Sequence, residues 1–144
     1  MIYGRFGDTS GRPYVEGRLV VPSLNIATNI SFLVDTGADS TVLMPMDASK
    51  AGLAYTSLKR TSVSVGVGGK AKNFLVEAYV TFADEGSLKV FNITLRVMPP
   101  SEVMMDTPSL LGRNIIDRCV MKYSPSTKEL HFDPVDFDME VPIV

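Results

Sequence analysis

The sequence predicts an all-β protein carrying a few short helices, and three observations lead there. Residues 14–21 and 87–97 alternate apolar and polar side chains, the period of a strand with one buried face. Glycines at 66, 68 and 69 and the Pro99-Pro100 pair punctuate these runs, as turns and strand ends require. Helical patterns reach only one or two turns.

In chain order, residues 14–21 read as a first strand, 22–25 as a turn, and 30–34 as the return strand. A short strand at 41–43 follows a polar loop. Asp47 is the expected N-cap of a short helix over 48–51, which Gly52 ends. Residues 61–67 and 72–82 form a long hairpin whose tip is Ser64-Val65-Gly66-Val67-Gly68-Gly69-Lys70. Leu88, Val90, Phe91, Ile93, Leu95 and Val97 mark the next strand, which Pro99-Pro100 breaks. A Met-rich loop leads into Leu110-Leu111-Gly112, and a short helix covers about 113–117. Residues 119–123 and 128–132 make a terminal hairpin around 124–127.

At 144 residues the chain is read as one domain over 1–132, followed by a tail over 133–144. The tail carries Asp133, Asp136, Asp138 and Glu140 and ends on apolar residues. It reads as a loose acidic end or as a terminal strand for another subunit. An apolar content of 45% supplies a core. With 14 Lys and Arg against 16 Asp and Glu, no basic excess exists to bind nucleic acid. No apolar run approaches a membrane span, and no signal peptide is visible. The expectation is therefore no nucleic acid, no membrane and a cytoplasmic setting, with excision from a longer protein left open.

Cys119, the single cysteine, sits among Ile115, Ile116 and Val120 and reads as a small buried hydrophobe. His131, the single histidine, has no spacing that joins it to Cys119, which argues against a cysteine nucleophile or a zinc site. The methionine pairs Met44/Met46 and Met104/Met105 read as adaptable groove lining or as core packing.

The chemistry-bearing run is Phe32-Leu33-Val34-Asp35-Thr36-Gly37-Ala38-Asp39-Ser40-Thr41-Val42-Leu43. Three apolar residues end a strand, and a tight polar turn then presents a carboxylate on a rigid base, as acid or base catalysis requires. The plainer reading is an Asx-type turn closing a hairpin. The later run Leu110-Leu111-Gly112-Arg113-Asn114 repeats the theme of an apolar strand, a glycine and a short helix.

These two runs, with the glycine-rich hairpin tip between them, resemble the retropepsin-like aspartic proteases, the family of the retroviral proteases. The likeness covers roughly residues 13 to 120. It implies a closed β-barrel with an internal duplication, forming half of a two-fold dimeric aspartic protease. One Asp-Thr-Gly supplies half a site, so the resemblance implies a homodimer with Asp35 of each subunit on the axis. The two carboxylates would share a proton and activate water against a peptide bond, with no cofactor and no metal.

Position by position, the resemblance makes Asp35, Thr36 and Gly37 catalytic, with Thr36 hydrogen-bonding across the dimer and Gly37 offering its carbonyl to substrate. Ala38, Asp39, Ser40, Gly66, Val67, Gly68 and Leu110 would bind substrate, with Val67 as the apex of a closing flap. Asp39 and Arg113 would form a structural ion pair. Val42, Val67 and Leu110 would line an apolar groove. The partners implied are a second copy and a peptide or protein substrate. The alternatives are a retropepsin-like domain that binds peptides without cutting them, and a β-rich interaction module unrelated to proteases.

Overall fold

The alternating runs become strands, and the strands close on themselves. In the computed structural model, which describes residues 1–66 and 68–143, the chain begins with β1 (Ile2–Tyr3), β2 (Arg5–Phe6), β3 (Pro13–Val21) and β4 (Ile26–Val34). Then come β5 (Val42–Leu43), α1 (Pro45–Lys50), β6 (Arg60–Gly66), β7 (Gly69–Asp84) and β8 (Ser87–Val97). The remainder is β9 (Leu110–Leu111), α2 (Arg113–Ile116), β10 (Cys119–Ser124), β11 (Glu129–Pro134) and β12 (Met139–Pro142).

Six strands form a ring in the order β8, β5, β9, β4, β3, β7, and β7 pairs back onto β8 from Phe74↔Val97 to Asp84↔Ser87. Closure satisfies backbone groups that an open sheet would leave at its edges. The alternation decides what fills the ring. On β3, Val15, Leu19 and Val21 are buried while Glu16 and Arg18 are exposed. Phe32, Val80, Phe91 and Leu95 meet them in the core, each contributing roughly 1.5–3 kcal/mol by burial. The β7–β8 turn places Glu85 and Gly86 at φ 46° and 86°, the sense of twist that two-residue hairpins favour. A separate sheet, β1–β11–β10, packs on this core through Ile2, Leu130 and Phe132.

Several boundaries differ from the sequence reading. Helix α1 begins at Pro45, three residues before the expected start, with Met44 and not Asp47 at its N-cap. Proline fits a first helical turn because its φ is already helical and its missing N–H is not needed there. Asp47 instead accepts a hydrogen bond from Ser109 Oγ at 2.6 Å. The return strand starts at Ile26, earlier than residue 30, and the hairpin's second strand extends to Gly69 and Asp84. The two-residue strands β1 and β2 carry no sequence signal of their own.

The tail is the largest difference. Over residues 139–142 it is neither loose nor free for another chain on this side, because β12 pairs with β8 from Met139↔Val90 to Pro142↔Ser87. Its acidic residues add ion pairs to that ladder. Arg118 bonds Asp138 at 2.8 Å and Asp136 at 3.1 Å, and Lys89 Nζ bonds Glu140 at 2.8 Å. Asp138 also accepts from Asn92 N at 2.7 Å. No helix in the described residues is long and apolar enough to cross a membrane.

Candidate active site

Asp35 stands where β4 leaves the barrel. β4 runs parallel to β9, with Leu33 opposite Leu110 and Val34 opposite Leu111, so the two glycine-bearing loops emerge side by side. Leu33 N donates to Ser109 O at 2.9 Å and Asp35 N to Leu111 O at 3.0 Å. These bonds fix the backbone beneath the carboxylate. Gly37 N donates to Asp35 Oδ1 at 2.9 Å and Ala38 N to Asp35 O at 3.2 Å, an Asx turn. Asp35 is half-buried, whereas Thr36 and Gly37 are exposed.

The second loop braces the first. Arg113 N donates to Ala38 O at 2.8 Å, and Arg113 Nη2 is bonded to Asp39 Oδ1 on the surface. Beneath them Thr41 is fully buried. Its Oγ1 donates to Asn114 Oδ1 at 2.7 Å and accepts from Gly112 N at 3.2 Å, while Thr41 N donates to the same Asn114 oxygen at 3.0 Å. A buried hydroxyl satisfied in both directions holds two loops at fixed separation. Gly112 has φ −98°, open to any residue, so its role is space. A Cβ there would overlap the Ser40 carbonyl and lie 2.8 Å from Thr41 N.

Two depressions flank the Asp35 loop. One is lined by Pro13, Val34, Asp35, Thr36, Met121 and Tyr123, which brings β10 beside the loop. The other is an open groove of about 430 Å³ between Ala38, Asp39, Ser40 and Val42 on one wall and Val63, Ser64 and Val65 of β6 on the other, with Arg96 of β8 also lining it. Of the residues expected at substrate, Ala38, Asp39 and Ser40 lie on this groove. Gly66 ends β6 opposite Gly69, and Gly68 is in the turn after it. Leu110 is half-buried and pairs with Val42 without lining the groove. Val67, the expected flap apex, lies outside the described residues.

Sequence reasoning did not single out Val63, Ser64, Val65, Arg96, Thr41 or Asn114. The one local signal was serine at positions 62 and 64 alternating with Val63 and Val65, which gives that part of the strand one polar face.

The remaining candidates fall elsewhere. Cys119 is half-buried, its Sγ lies 3.6 Å from Ile115 O, and burial pushes the thiol up to about 11, away from nucleophilic thiolate. His131 on β11 pairs with Tyr3 and Lys122 and rests edge-on against the Tyr3 ring. Met44 is in the core. None of the four methionines lines the groove. Among the described residues, no three His, Cys, Asp or Glu side chains gather closely enough to hold a metal.

The profile of the family described as "gag-polyprotein putative aspartyl protease" matches residues 23–118, well over half of the chain. No curated protein matches the sequence. A retropepsin-like aspartic protease from Rickettsia conorii has a similar solved structure, with TM-score 0.63 and 24% identity, over 99% of this chain and 92% of that one. That likeness assigns the barrel to the retropepsin-like fold. EIAV protease, solved with the inhibitor HBY-793, aligns over 77% of this chain and 90% of its own at 22% identity. Its TM-score of 0.44 is too low to add to the assignment.

Proposed function

Since the chain belongs to the gag-polyprotein aspartyl protease family, we propose that it is a homodimeric aspartic endopeptidase with Asp35 as its catalytic carboxylate. The observation that carries this reading is the Asp35 loop itself. It offers one carboxylate, oriented by Gly37 N on backbone pinned by Leu111 and Ala38, beside exposed Thr36 and Gly37. One such carboxylate is half of what water activation between two aspartates needs, so a second copy supplies the other half.

Two carboxylates brought together across an axis do not both ionise at neutral pH, so the pair holds one proton. The ionised member takes a proton from the trapped water as it attacks the peptide carbonyl. The protonated member donates to the carbonyl oxygen as charge develops there. Thr36 hydrogen-bonds across the axis and keeps the two loops in register. Gly37 offers its carbonyl to the substrate backbone. The Asp39–Arg113 pair stiffens the loop from outside. An extended peptide lies between the Ala38–Ser40 wall, with Leu110 behind it, and the β6–β7 hairpin. Gly66, Val67 and Gly68 close over it and exclude water. The exposed Tyr123 on β10, close to the Asp35 loop, supplies apolar surface for a second copy.

The test is cleavage of a diverse peptide pool at about pH 4 to 7, wild type beside Asp35→Asn, with the optimum expected on the acidic side. Cleavage that disappears in the variant while the fold is retained supports the reading. Equal cleavage by both proteins, or none by a folded wild-type dimer, contradicts it. In the last case the intact groove points to peptide binding without catalysis.

A further inference from the structure

Among the described residues, Arg96 has no acidic partner. It sits on β8, opposite Val42 of β5 and Leu75 of β7, half-buried and lining the groove beside the Asp35 loop. Among the described residues its guanidinium bonds only neutral oxygens, through Nη1: Asn73 Oδ1 at 2.8 Å, Ser64 Oγ at 3.1 Å and Ser62 Oγ at 3.5 Å. Asn73 is fully buried and donates in turn to Ser64 Oγ at 2.6 Å. No carboxylate lies within 4.0 Å of Arg96 among the described residues. The acid on the same groove, Asp39, is bonded to Arg113.

We infer that Arg96 forms an acidic-residue subsite, selecting Asp or Glu in an extended peptide bound between the Ala38–Ser40 loop and β6. A partly buried cation with no counter-charge loses hydration that neutral oxygens restore only in part. Nε and Nη2 make no hydrogen bond among the described residues, and that edge of the guanidinium suits a carboxylate accepting two parallel bonds. The Asn73–Ser64–Ser62 set fixes the head group, so little side-chain freedom remains to be lost on binding. Val63 and Val65, 59% and 77% exposed, also line the groove. An extended strand alternates its side chains, so one acidic position faces Arg96 and the adjacent ones do not. This inference rests on the groove being the peptide site. In a symmetric dimer the subsite recurs on either side of the cut bond.

The experiment measures binding and cutting separately. Eight-residue peptides with an apolar centre, carrying Glu or Gln at one position at a time, are titrated onto the full-length Asp35→Asn protein by fluorescence polarisation. The same series is repeated with Arg96→Gln and Arg96→Lys added. At one or more positions the Glu peptide is expected to bind about tenfold tighter than its Gln twin, as a charge-assisted bond would give. Arg96→Gln removes that preference and Arg96→Lys keeps part of it. Equal binding of all twins, a preference that survives Arg96→Gln, or no binding of any peptide overturns the inference. The twin comparison with Arg96 present stands even if Arg96→Gln does not fold. Wild-type cleavage of the same peptides separates the two claims. Cutting without charge preference leaves the protease and removes the subsite, and charge-selective binding without cutting does the reverse.

Discussion

Gly112 joins the two loops of the site because it has no side chain. Its backbone angles suit any residue, yet a Cβ would press into the Ser40 carbonyl and Thr41 N. Neither neighbour is a flexible side-chain end, so the loops themselves would have to separate. Gly112→Ala is expected to cost roughly 2–4 kcal/mol of stability, read from denaturant unfolding, and to lower activity by shifting Asp35. A loss under about 1 kcal/mol would mean that the Thr41–Asn114 clasp tolerates the displacement. At this scale Asp35 and Gly112 were legible because turn chemistry is local. Arg96 was not. A charged residue in an alternating strand reads as solvent-facing, and its partners Ser62, Ser64 and Asn73 arrive only through the pairing of β6, β7 and β8.

Among elements, β12 depends most on charge. Arg118 donates to Asp138, which also accepts from the Asn92 N–H, and both hold that carboxyl below its usual range. Lys89 does the same for Glu140. A carboxyl whose folded-state pKa is depressed adds stability above its unfolded pKa, and that stability is lost as pH falls through the folded value. Both groups therefore favour docking at neutral pH and release it below about pH 4. The methyl NMR signals of Val141 and Ile143 are expected to move to unfolded positions in that window while those of Leu19 and Leu95 stay native. Tail signals that persist until the barrel itself unfolds would show that β12 is held by its backbone ladder alone. The sequence left this segment open between a loose end and a strand for another subunit, because its partners Lys89 and Asn92 lie about fifty residues earlier, beyond any local pattern. α1 was misjudged by three residues for the opposite reason: Asp47 looked like a cap, but Pro45 had already fixed the first turn.

At the scale of the molecule, the barrel was foreseeable as class and not as pairing. Alternation and glycine punctuation announce strands, whereas the β3–β7 pairing that helps close the ring and the parallel β4–β9 contact that sets the Asp35 loop are long-range. The central claim also belongs to this scale: the folded chain carries half a site, and activity requires two. Mixing wild type with a ninefold excess of Asp35→Asn, under conditions where subunits exchange, tests it most directly. If each working site needs Asp35 from both copies, activity per wild-type chain falls to about a tenth of its unmixed value, because most wild-type chains are then paired with an inert partner. Activity per wild-type chain that does not change on mixing would mean that one chain cuts alone, and the two-copy account would be wrong.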